Sequence, residues 1–83
     1  MNMTEDQIKE ITREFLKKYT KKSVDDDLNL FDSGLVNSLF AMQMILFIEK
    51  EFKFSIDNQD LDMQNFNSIN AISSFVGNKL KSS

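Results

Sequence analysis

Between Leu39 and Ile48 the chain offers a single strongly polar side chain, Gln43. A stretch this apolar is too greasy for an ordinary surface helix and too short to cross a bilayer, which takes about 20 residues. Other parts of the chain must cover it. No proline interrupts the sequence, only two glycines occur, and apolar side chains recur at helical rather than alternating spacing. The expectation is an all-α fold. At 83 residues the chain should form one domain spanning 1–83, with a modest core and a stability of roughly 3–5 kcal/mol.

The elements can be placed from caps and stripes. Thr4-Glu5-Asp6-Gln7 reads as a capping box opening a first helix, with Ile8, Ile11, Phe15, Leu16 and Tyr19 on its inner side and an end near Thr20. A second helix should run from about Ser38 to about Phe52. One stripe of it carries Ala41, Ile45, Ile48 and Phe52, and an adjoining stripe carries Leu39, Met42 and Leu46, which together predict a wide face. Residues 60–66 could form one short helix, with Leu61, Met63 and Phe66 available for packing. The last helix should start at Asn67 or Ser68 and turn Ile69, Ile72, Phe75, Val76 and Leu80 inward. The long first loop, residues 20–37, exceeds the usual loop length, so it should be functional rather than idle. Val24, Leu28, Leu30, Phe31 and Leu35 can pin it to the bundle, and Gly34 permits a positive φ just before the second helix.

Composition then removes most chemistry. There is no His to serve as a base at neutral pH and no Cys to serve as nucleophile or thiolate ligand, so triad hydrolysis and structural zinc are excluded and no catalytic or metal-binding residue is assigned. The acidic runs Asp25-Asp26-Asp27 and 57–62 lack the Gly and Glu that a calcium-binding EF-hand loop requires. A pI near 4.8 argues against nucleic acid, and Lys17, Lys18, Lys21 and Lys22 read as a solvated helix end favoured by the macrodipole. The charged start MNMTEDQIKE predicts no signal peptide, and the apolar helix lacks a basic opposite face, so a cytoplasmic protein without membrane insertion is expected.

What remains is Ser38. A serine before an apolar run is ordinarily an N-cap, a role Asn37 could fill equally well. Its surroundings offer no base to activate it as a nucleophile, so a partner would have to supply one. A hydroxyl at a helix N-terminus is nevertheless well placed to bear a phosphate ester, because free backbone N–H groups and the helix dipole favour the anion.

The run Leu30-Phe31-Asp32-Ser33-Gly34-Leu35-Val36-Asn37-Ser38-Leu39, followed by an apolar helix ending in Glu49-Lys50-Glu51-Phe52, resembles the prosthetic-group attachment region of the acyl carrier protein family, whose signature is Asp-Ser-Leu. That family has a four-helix bundle with a long first loop and a short third helix, matching the order of elements above. The resemblance implies that Ser38 carries covalent 4′-phosphopantetheine, that Asn37 and Leu39 are its motif neighbours, and that the second helix is read by partners. Those partners would be a phosphopantetheinyl transferase, an acyl- or aminoacyl-loading enzyme and a downstream synthase or transferase, visiting a monomer. It would also account for the missing cysteine, since the arm brings its own thiol to hold an acyl group as a thioester. Asn37 stands where Asp is usual, and Phe40 and Gln43 stand where fatty-acid carriers are commonly acidic. A more apolar contact through Leu39, Phe40, Met42, Gln43 or Leu46 would replace electrostatic steering, with Phe40 the leading candidate for an exposed anchor. This pattern resembles free-standing carriers of secondary metabolism, loaded with polyketide extender units or, as in D-alanyl carriers, with amino acids. The competing readings are a helical adaptor that uses the second helix to bind a protein and never carries a cofactor, and a carrier of the fatty-acid or D-alanyl type.

Overall fold

The computed structural model describes residues 3–82; Met1, Asn2 and Ser83 lie outside them, and with them the very start of the charged N-terminal run. The described residues contain three α-helices and two short 3-10 turns, with no strand among them.

Helix α1, Glu5–Thr20, begins where the sequence predicts. Thr4 Oγ1 accepts from the Gln7 N–H at 3.1 Å while Gln7 Oε1 accepts from the Thr4 N–H at 2.9 Å, so two otherwise unpaired donors are satisfied reciprocally. It stops at Lys21, whose φ of 60° is left-handed and whose N–H returns to the Lys17 carbonyl. Ile8, Thr12 and Leu16 form the buried stripe, with Ile11 and Phe15 packed partly against the core. Thr12 is tolerated there because its hydroxyl donates to the Ile8 carbonyl at 2.8 Å. Tyr19, expected in the core, is exposed, and only its ring face is covered.

Residues 21–37 connect α1 to the second helix and are held down by apolar pegs. Val24, Leu30 and Val36 are buried, and Leu28, Phe31 and Leu35 pack against the core. Polar ties add to these: the Leu30 N–H donates to the Asn67 carbonyl, the Asn70 N–H to the Asp26 carbonyl, and Arg13 to the Asp26 carboxylate at 2.7 Å. Gly34 has φ 80°, the turn conformation its lack of a side chain was expected to serve.

Helix α2, Ser38–Phe52, buries Phe40, Met44, Ile48 and Phe52, one residue in every four. This corrects the expected stripes. Ala41 and Ile45 are only partly covered, and Leu39, Met42 and Leu46 are exposed rather than part of a wide buried face. After Lys53, again left-handed at φ 60°, Glu49 accepts from the Ile56 N–H at 2.7 Å and fixes the chain as it turns away.

The short helix expected over 60–66 is replaced by 3-10 turns at Asn58–Asp60 and Met63–Asn65. Phe66 is buried as anticipated, but Leu61 and Met63 face solvent. Helix α3, Ile69–Ser82, follows Ser68, whose hydroxyl accepts from the Ala71 N–H. Ile69, Ile72, Phe75 and Val76 close the core, Leu80 packs partly against it, and α1 lies against α3. Lys79 of α3 reaches Asp60 of the first 3-10 turn at 2.7 Å.

Candidate functional site

The start of α2 is built by division of labour between two adjacent residues. Asn37, extended at φ −126°, is the N-cap: its side-chain oxygen accepts from the Phe40 N–H at 2.9 Å, and its carbonyl accepts from the Ala41 N–H. Ser38 is therefore relieved of capping. It is exposed, and its hydroxyl makes no hydrogen bond among the described residues. The N–H groups of Ser38 and Leu39 fall in the first turn, where helix geometry leaves them without an intrahelical acceptor.

The approach to this point is stiff. Asn29 Oδ1 accepts from the N–H groups of Phe31 and Asp32, and the Ser33 hydroxyl donates to the Leu30 carbonyl while accepting from the Leu35 N–H. Val36 is buried immediately before the cap and Phe40 two residues after Ser38. Ser38 and Leu39 thus project outward between two anchored positions.

Phe40 overturns the expectation of an exposed anchor. It is 2% exposed, with the Tyr19 ring stacked on it at 3.7 Å between centroids and Phe15 at 5.5 Å. The reason is angular: Phe40 lies one helical step from Leu39, about 100° around the axis, on the line that continues through Met44, Ile48 and Phe52. Counting back in fours from Phe52 would have placed it inside. Leu39, Met42 and Leu46 are instead 73%, 63% and 63% exposed, with Gln43 exposed beside them. Tyr19 is the neighbour that sequence reasoning missed, because its helical position suggested core and said nothing of a stack across to α2.

No cluster of His, Cys, Asp or Glu suited to a metal occurs among the described residues, and no described helix is long and apolar enough to cross a membrane. The Ser38 hydroxyl thus stands exposed at the mouth of α2 beside the exposed strip of Leu39, Met42 and Leu46.

Residues 6–76 match the family described as phosphopantetheine attachment site, and the chain belongs to that family. It is a carrier protein that holds 4′-phosphopantetheine covalently and serves enzymes without being one. Among curated proteins it is similar to the D-alanyl carrier protein of Lactococcus lactis subsp. cremoris strain MG1363, at 31% identity over 55 residues covering 66% of this chain and 70% of that one. The D-alanyl carrier proteins of strain SK11 and of L. lactis subsp. lactis strain IL1403 give the same values.

Proposed function

We propose that Ser38 bears the 4′-phosphopantetheine and that the protein, a single domain acting as a cytoplasmic monomer, presents a small acyl or aminoacyl unit to visiting enzymes. The observation that carries this reading is the exposed Ser38 hydroxyl freed from capping by Asn37. The surroundings fit the group. A phosphodiester on that oxygen is favoured by the positive end of α2 and its first-turn N–H groups, and α2 places no acidic residue in its first turn to repel it. The chain has no Cys, and the bound arm supplies the thiol on which cargo is held. With no base at Ser38, a separate phosphopantetheinyl transferase must provide one together with magnesium-assisted phosphoryl transfer from coenzyme A. Asn37 holds the helix start in register, and Val36 and Phe40 keep Ser38 from turning inward.

Leu39, Met42, Gln43 and Leu46 form the surface that loading and acceptor enzymes read, through apolar burial more than charge. The pair of 3-10 turns stands in for the short third helix of the four-helix carrier fold, and residues 21–37 for its long first loop. For the cargo, likeness to D-alanyl carriers favours an amino acid delivered by an adenylating ligase. The acid-poor start of α2, with Asn37, Phe40 and Gln43 in place of carboxylates, favours a polyketide or nonribosomal pathway over fatty-acid synthesis as the second reading.

Intact mass spectrometry tests the assignment. Apo protein incubated with an active phosphopantetheinyl transferase, coenzyme A and magnesium should gain one phosphopantetheine, and Ser38→Ala should stay folded and gain nothing. An unchanged wild-type mass, or an adduct on Ser38→Ala, refutes the site. The mass of protein taken from its native host would identify the cargo.

A further inference from the structure

A groove of about 290 Å³ runs along the seam between α1 and α2, and Leu39, Met42 and Leu46 do not line it. Its floor is Ile11, Phe15 and Phe47. The two phenylalanine rings lie nearly parallel, 4.1 Å between centroids and 12° between planes, and both stay only partly buried although they pack against the core. The stacks of Tyr19 on Phe40 and of Phe15 on both Phe40 and Phe47 show α1 and α2 running antiparallel here, so the groove follows two helix axes. From Glu10 to Lys18 it spans roughly 12 Å, the rise of about two helical turns.

The rim is electrostatically lopsided. Glu10, Glu14 and Glu51 face a single lining cation, Lys18. Glu10 is committed to Arg13 at 2.7 Å, but Glu14 and Glu51 make no ion pair among the described residues and stand on opposite walls, one on each helix. Carboxylates left unpaired around an aromatic floor match one kind of occupant: apolar side chains flanked by cations.

We propose that the α1/α2 groove is a second docking site, which binds a cationic amphipathic helix of a partner protein independently of Ser38. Apolar residues of that helix cover Ile11, Phe15 and Phe47, and its lysines or arginines pair with Glu14 and Glu51. The contact is modest in area and solvated at the rim, so it is a weak, fast-exchanging interaction in which charge sets orientation and encounter rate more than strength. It lets a partner hold the carrier while the start of α2 stays open.

The test uses the full chain, labelled with ¹⁵N, titrated with a short synthetic leucine/lysine peptide of amphipathic helical spacing and with its leucine/glutamate twin. The lysine peptide should shift the amides of Ile11, Phe15, Phe47 and Glu51, and the glutamate twin should not. Glu14→Gln combined with Glu51→Gln, both at exposed positions and checked by an unchanged unfolding curve, should weaken binding about three- to tenfold. Ser38→Ala should bind as wild type does, which separates this proposal from the attachment assignment. Shifts centred instead on Leu39, Met42 and Leu46 or on residues 57–62, equal binding of the glutamate twin, or full affinity in the double variant would overturn it.

Discussion

Ser38 and Phe40 stand two residues apart on the same turn of α2 and meet opposite environments, one in solvent and the other under two aromatic rings. Removing the Phe40 ring leaves a cavity at the α1/α2 seam, and Phe40→Ala should cost about 3–5 kcal/mol, comparable to the whole stability of so small a domain. Leu39→Ala, at a position 73% exposed, should stay within about 0.5 kcal/mol of wild type. Urea unfolding followed by circular dichroism separates the two outcomes. The sequence made Ser38 conspicuous but could not divide the capping role between it and Asn37, because both residue types accept hydrogen bonds at that position. It did hold the answer for Phe40, in the four-residue steps back from Phe52, though the greasiness of the entire run hid that register.

Helices α1, α2 and α3 were legible as elements because each carries a local start signal: Thr4 with Gln7, Asn37, and Ser68. The segment 57–66 was not, and its chemistry explains why. Asp, Asn and Gln crowd it, and their side chains compete for nearby N–H groups: Asp60 accepts from the Asp57 N–H and Asp62 from the Gln64 N–H. A helix there is interrupted after a single turn by its own side chains. The cap of α2 gives a measurable prediction. Asn37→Ala should destabilise the protein by about 1 kcal/mol, whereas Asn37→Asp keeps the acceptor and adds a charge favoured by the dipole, leaving stability equal or slightly higher. Paired thermal melts of the two variants against wild type check this.

Across the molecule, two ion pairs tie irregular chain to helices: Arg13 to Asp26, and Lys79 to Asp60. The hydrogen bond from Lys79 holds the Asp60 carboxyl below its ordinary value, and the same bond holds the Lys79 ammonium above its own. A lowered carboxylate contributes stability that is complete above the ordinary value of 3.8 and disappears as pH falls through the lower folded value. A raised lysine contributes stability that is complete below 10.5 and disappears as pH rises beyond it. The stability gap between wild type and Asp60→Asn should therefore be level from about pH 5 to about pH 9 and close as pH falls below the ordinary carboxylate value of 3.8, as read from melting temperature against pH. These ties join residues far apart in sequence, as do the Tyr19–Phe40 stack and the α1/α2 groove, and periodicity within one helix carries no trace of them.

That stack bolts the mouth of α2 to the last turn of α1, so the arm we propose on Ser38 would swing from a fixed berth. A berth of that kind admits one visitor at a time. Enzymes that load, modify and unload the cargo must queue for it, and throughput depends on how promptly each one leaves.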